Sequence, residues 1–197
     1  MADTTPTRIP ASLIDARRSP VVTRRDWLQP LAPRARFTLR GGADARRAAG
    51  AAFGLVLPED ACRSAATPTR AALWLGPDEQ LLLGLETDTA SIQEGLEQAL
   101  RGIAHSLVDV SHRQTALEIS GPHAEAILNG ASPLDLSLSA FPVGMCTRTV
   151  FEKADVVLWR PRADTFHIEV WRSFTDYVSS LIAEIGREYY PGDGRAA

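Results

Sequence analysis

Residues 107–128 change hydrophobic period twice, and the rest of the chain can be placed around them. The apolar run 107–110 breaks at Ser111-His112-Arg113, and Leu117 and Ile119 then alternate with polar neighbours. A period of two is that of a strand with one buried face. Ser120-Gly121-Pro122 interrupts it, and proline suits a first helical position because its ring presets φ and no N–H is needed there. Ala124, Ile127 and Leu128 follow at helical spacing, and Asn129-Gly130 tolerates a left-handed close. Strand, break, strand and helix are predicted in that order.

The same rules divide the flanks. Residues 37–39 alternate as a strand, Gly41-Gly42 stops it, and an Ala-rich helix runs over 43–53 to Gly54. Residues 55–70, with Pro58 and Pro68, read as a loop. Residues 71–75 and 81–85 form a hairpin across Gly76-Pro77-Asp78-Glu79. Thr87-Asp88-Thr89 offers an N-cap to a helix whose Ile92, Leu96, Ala99 and Leu100 share a face. Beyond a loop at 131–145, strands are predicted at 147–151, 156–159 and 166–170. Ser173 is the expected cap of a last helix that buries Phe174, Tyr177, Val178, Leu181, Ile182 and Ile185.

The chain also echoes itself. F-T-L-R-G-G-A-D-A at 37–45 resembles L-E-I-S-G-P-H-A-E at 117–125, and L-W-L-G-P-D-E at 73–79 resembles L-W-R-P-R-A-D at 158–164. Each half reads as strand, helix, two or three strands, helix, with an added strand at 107–110 closing the first. The predicted class is α+β: two related split β-α-β lobes with mostly antiparallel sheets, helices on one face, and one shared core. Residues 35–190 make up this two-lobed domain, and 191–197 read as a flexible tail.

Residues 1–34 differ. Five prolines and the pairs Arg17-Arg18 and Arg24-Arg25 sit among scattered apolar residues that cannot form a core of their own. A floppy leader competes with an extended arm laid on its own domain or on a partner. Leaving Trp27 and the apolar pairs in water costs ~25 cal/mol per Å², which favours the arm.

Composition narrows the function. The 197 residues are 45% hydrophobic and 23% charged, enough to fold, and the net charge of −3 gives no reason to expect nucleic acid or an anionic membrane. The charge is uneven: residues 1–49 hold ten Arg against four Asp. An M-A-D-T-T-P start without a secretory leader, with only Cys62 and Cys146, points to a reduced, cytoplasmic setting. No apolar run approaches the ~20 residues that span a bilayer.

Chemistry is sparse. His105, His112, His123 and His167 lack metal spacing, and no phosphate loop or G-x-S-x-G elbow occurs. On one continuous strand Ser111 and His112 would face opposite ways, which disfavours a serine triad. Cys146 reads as a small buried side chain. No catalytic, cofactor-binding or metal-binding residue is therefore expected. The candidates for partner contacts are Arg24, Arg25, Trp27, His112, Arg113, Arg148, Arg160 and Arg172, because arginine and tryptophan are over-represented as interface anchors.

Several stretches together resemble a known family: V-D-V-S-H-R-Q-T-A-L-E-I-S-G-P-H-A, P-L-D-L, F-P-V-G-M-C-T-R-T, V-V-L-W-R and F-H-I-E-V-W-R-S-F-T-D-Y-V. In order and spacing, over about residues 70–185, they resemble the gamma subunit of heterotetrameric sarcosine oxidase. D-V-S-H with S-G-P-H-A is also similar to the aminomethyltransferase of the glycine cleavage system, whose folate-binding fold the resemblance implies. It further implies an enzyme that demethylates sarcosine with oxygen to glycine and hydrogen peroxide, passing the one-carbon unit to tetrahydrofolate. FAD, FMN and NAD would sit on the alpha and beta partner subunits, with a delta subunit completing the assembly. The gamma chain would hold no cofactor and dock against alpha. The acidic folate-binding motif of the aminomethyltransferase has no counterpart here. The alternative, a self-sufficient folate-binding one-carbon transferase, would rely on Asp109 or Asp135 to hold a pterin.

Overall fold

Alternation decides how the layers stack. The computed structural model describes residues 25–191. Strand β1 (Leu28–Pro30) precedes β2 (Arg34–Gly41), in which Ala35, Phe37 and Leu39 point to one face while Arg36 is buried on the other. Helix α1 (Ala43–Phe53) follows with the predicted bounds, and Gly54 closes it at φ +73°, the left-handed position that glycine takes without strain. Strands β3 (Ser64–Ala66), β4 (Ala71–Gly76) and β5 (Glu79–Leu85) come next. The short β3 corrects the expected loop at 55–70; three small residues give too little periodicity to read. A 3₁₀ turn, Glu86–Asp88, leads into α2 (Thr89–Ala99), and β6 (His105–Asp109) ends the first lobe.

The second lobe repeats the order: β7 (Gln114–Ser120), α3 (Ala124–Asn129), β8 (Cys146–Phe151), β9 (Ala154–Arg162), β10 (Thr165–Trp171), a 3₁₀ turn Arg172–Phe174, and α4 (Thr175–Gly186). The first lobe's sheet runs β3-β4-β5-β2-β6 and the second's β8-β9-β10-β7-β1, and every neighbouring pair is antiparallel. The two orders superimpose strand for strand, as the sequence echo predicts. In the last place they differ. Strand β6 returns to the edge of its own sheet, whereas β1, from the start of the chain, fills the matching edge of the second sheet by pairing Leu28 with Ile119.

The buried side chains form three clusters, not the single shared core expected. One packs β7, β9 and β10 on α3 and α4 through Leu117, Ile119, Ile168, Val178 and Ile182. A second packs β2, β4 and β5 on α1 and α2 through Phe37, Leu39, Leu82, Ile92 and Leu96. The third lies between the two sheets and includes Leu73, Leu81, Leu83, Cys146 and Val157. The order is thus helices, sheet, sheet, helices. Each sheet buries both faces, so one helical layer per lobe covers only the outer one.

Helix ends depart from expectation. Pro122 lies in the turn before α3, which starts at Ala124 after His123. Gly130 has φ −70°, so α3 does not close left-handed. Ser173 does not cap α4; it lies within the 3₁₀ turn, and Phe174 holds the cap position without a side-chain bond. Phe174 and Tyr177 are each 40% exposed, against the prediction that they are buried. Helical rotation of ~100° per residue puts them on a stripe beside the one through Val178 and Ile182.

The first described residues are tied to the last by Trp27, which is 5% exposed and stacks on Tyr190 at 5.0 Å between centroids. A Cβ at Gly186 would overlap the Trp27 ring. Gly186→Ala is expected to lower unfolding free energy by about 1–3 kcal/mol, although alanine otherwise favours a helix. Urea unfolding measures this, and no loss would mean that Trp27 is not seated there.

Candidate functional site

The predicted contact residues fall into three environments. Arg24 lies outside the described residues. Arg160 is 1% exposed and directed inward: it donates to the carbonyls of Leu136 at 2.7 Å, Phe141 at 3.0 Å and Ala163, pairs with Glu125 at 3.1 Å, and lies over Phe166. With its donors used to fix the 131–145 loop, Arg160 is an internal strut and not a surface anchor. Trp27 is internal too, and the half-buried Arg25 lies 5.8 Å from its ring centroid.

Arg148 on β8 reaches across to Glu79 on β5, with Nη1 donating at 3.0 Å and Nη2 also in contact. The bond from Arg148 holds the Glu79 carboxyl below its usual range, despite the burial that opposes it. This pair ties the two sheets at their rim. Beside it Arg63 and Met145, the residues just before β3 and β8, form an isolated antiparallel bridge, and the Cys146 thiol donates to the Arg63 carbonyl at 3.2 Å. Burial pushes that thiol up to about 12, so Cys146 stays protonated and unreactive near neutral pH.

The chain crosses between sheets at Ser111-His112-Arg113, which are turn residues and not a continuous strand. The Asp109 carboxylate accepts from the Ser111 N–H at 2.8 Å, and Asp135 accepts likewise from Ser137 at 2.9 Å. Both are local turn caps on the surface, and neither lines the cavity described below. Among the described residues no group of three His, Cys, Asp or Glu is placed to hold a metal ion.

A buried polar triad that sequence reasoning missed lies between the sheets. On β10, His167 and Glu169 share the inward face, and the His167 Nε2 meets the Glu169 carboxylate at 2.8 Å. Arg36 of β2 donates its Nε to the other carboxylate oxygen at 2.6 Å, and its side chain is 2% exposed against 0% for Glu169. Burial pushes the Glu169 carboxyl up; the hydrogen bond from His167 and the charge of Arg36 outweigh that and hold it low. The H-x-E spacing was the available signal, since alternate strand residues share a face. The partner on the other lobe left none.

Next to Arg36 a cavity of about 580 Å³ opens where the two lobes meet. Its walls include Arg34, Glu86, Gln114, Arg172 and the first residues of α2 and α4, Thr89 and Thr175. The link between β1 and β2 lies along one side.

Close by, Trp171 is 45% exposed and Phe174 and Tyr177 are each 40% exposed. Trp171 ends β10, Phe174 ends the 3₁₀ turn and Tyr177 lies in the first turn of α4, so the three rings follow one another across this strand-to-helix junction. The Arg113 guanidinium lies 5.3 Å from the Trp171 ring centroid, and the Arg113 carbonyl accepts from the Arg172 N–H at 2.9 Å. His112 is exposed in the same link. Aromatic rings beside arginine are the composition of interface cores.

The model of the sarcosine oxidase gamma subunit family matches residues 40–188. The chain belongs to that family. It is 30% identical over 149 residues to the sarcosine oxidase subunit gamma of an Arthrobacter species, covering 75% of this chain and 72% of that one. Among solved structures, a chain of heterotetrameric sarcosine oxidase from Corynebacterium sp. U-96, in complex with pyrrole 2-carboxylate, aligns with a TM-score of 0.78 at 26% identity. That match covers 92% of this chain and 96% of the other. The glycine cleavage system aminomethyltransferase T of Bartonella henselae aligns with a TM-score of 0.62 at 14% identity, over 79% of this chain and 44% of that one. At that identity the likeness is one of fold, which this member of the gamma family shares with the aminomethyltransferase. No described helix is long and apolar enough to cross a membrane.

Proposed function

We propose that this gamma chain is a non-catalytic docking subunit of a cytoplasmic heterotetrameric sarcosine oxidase. The assembled enzyme would demethylate sarcosine with oxygen to glycine and hydrogen peroxide and pass the one-carbon unit to tetrahydrofolate. FAD, FMN and NAD would be held by the alpha and beta partners, and a delta subunit would complete the assembly. The observation that carries this reading is the exposed stripe of Trp171, Phe174 and Tyr177. Large rings left in water favour association, and stable obligate interfaces bury upwards of ~2,000 Å².

Tagging the full-length chain and co-expressing it with the large flavoprotein subunits tests the reading. Stoichiometric recovery of those subunits through size exclusion is expected. A monomeric chain that leaves the flavoprotein subunits behind, while they oxidise sarcosine unaided, would overturn it.

A further inference from the structure

The cavity between the lobes is not explained by a docking role. Two helical runs start at its wall, one at Glu86 leading into α2 and one at Arg172 leading into α4. Neither α2 nor α4 has a side-chain cap bond at its N-terminus. Each such terminus carries a partial positive charge of roughly half a unit. Here the internal repeat aims two of them at one space.

The side chains add to that field. Arg34, Arg36 and Arg172 line the cavity against one carboxylate, Glu86, which is exposed. Arg36 is matched by Glu169, whereas Arg34 makes no ion pair among the described residues. A second and independent feature points to a ligand. Gln114 is 8% exposed and lines the cavity, yet its buried amide oxygen meets no donor among the described residues. An unmet acceptor in that position costs about 1–3 kcal/mol, so it calls for an N–H or O–H from elsewhere. The rest of the wall is mixed: Ser111, His112 and Thr115 lie on it with the apolar Pro30, Leu31, Pro33 and Leu117.

We propose that this cavity binds a small carboxylate with an N–H donor and an apolar group, the class of N-acyl and N-aryl amino acids. The carboxylate faces Arg34, Arg172 and the helix starts, the N–H donates to the Gln114 amide oxygen, and the apolar group lies on the proline-rich link. A volume of about 580 Å³ is in the range of pockets that enclose ligands of this size. The site stands on this chain alone and is independent of the docking reading.

Calorimetric titration of the full-length chain with hippurate (N-benzoylglycine) tests it. Saturable binding with a Kd below about 1 mM is expected, weakening with added salt. Benzoate, which lacks the N–H, and benzamide, which lacks the carboxylate, should each bind at least about tenfold more weakly. Arg34→Ala and Gln114→Glu should weaken hippurate by a similar factor, while Arg148→Ala, outside the cavity, leaves it unchanged. Absence of saturable heat with the native chain, or equal affinity for hippurate and benzoate, overturns the proposal. Unchanged affinity in folded Arg34→Ala and Gln114→Glu does the same. The native-chain comparison decides the matter even if both variants misfold.

Discussion

Arg36→Met is expected to lower the unfolding free energy by about 3–5 kcal/mol, a large fraction of the 5–15 kcal/mol typical of a domain. The loss comes from the charge left behind more than from a lost attraction. Glu169 is 0% exposed, and without Arg36 only His167, among the described residues, remains paired with its carboxylate. Replacing the pair together, as Arg36→Met with Glu169→Leu, should recover at least about 1–2 kcal/mol of that loss, since an apolar pair leaves no buried charge. Urea unfolding of both single variants and the double measures this; equal stability of Arg36→Met and the double variant would refute it.

The same triad predicts a pH dependence. The Glu169 carboxyl is held below its ordinary value of 4.5 in the folded chain. A depressed carboxylate contributes stability that is fully present above the unfolded value and lost as pH falls through the folded one. Removing Arg36 takes away one of the two groups that hold the Glu169 carboxyl down against burial, so it rises and protonation relieves the variant. The stability gap between native and Arg36→Met is therefore expected to narrow between pH 7 and pH 4. A gap that widened would place the buried charge elsewhere.

Trp171→Ala together with Phe174→Ala should weaken association with the flavoprotein subunits at least about a hundredfold. Truncating a central aromatic anchor costs about 2 kcal/mol or more, roughly thirtyfold each, and neighbouring anchors combine less than additively. Both rings are 40–45% exposed in the isolated chain, so its own unfolding should change by only about 0.5 kcal/mol. Co-purification yield with unfolding midpoints separates the two effects. Unchanged recovery would move the docking surface off this stripe, and a collapse of the chain itself would make the rings structural.

Arginines show where reading a sequence stops. Arg113, Arg148, Arg160 and Arg172 look alike as residues on or near strands, yet Arg113 stacks on an exposed ring, Arg148 ties two sheets, and Arg160 is spent on backbone carbonyls of the 131–145 loop and the β9–β10 turn. Their roles depend on which carbonyls and carboxylates come within about 3 Å, and apart from the Ala163 carbonyl beside Arg160 those lie 19 to 69 positions away along the chain. Phe174 and Tyr177 illustrate the same limit. Their apolar character was visible, but the side of α4 that meets β10 was not.

Hydrophobic period, glycine and proline were enough to predict α1 to the residue, the β4–β5 hairpin, the repeated lobe and a mainly antiparallel α+β class. These features come from interactions within a few residues, which local order records. Tertiary structure alone decided the three-cluster core, the exchange of β1 into the far sheet, the Arg36–Glu169–His167 triad and the cavity at the helix starts. Each of these requires two segments far apart in the chain to be brought within a few ångströms, and only the packed fold imposes that distance.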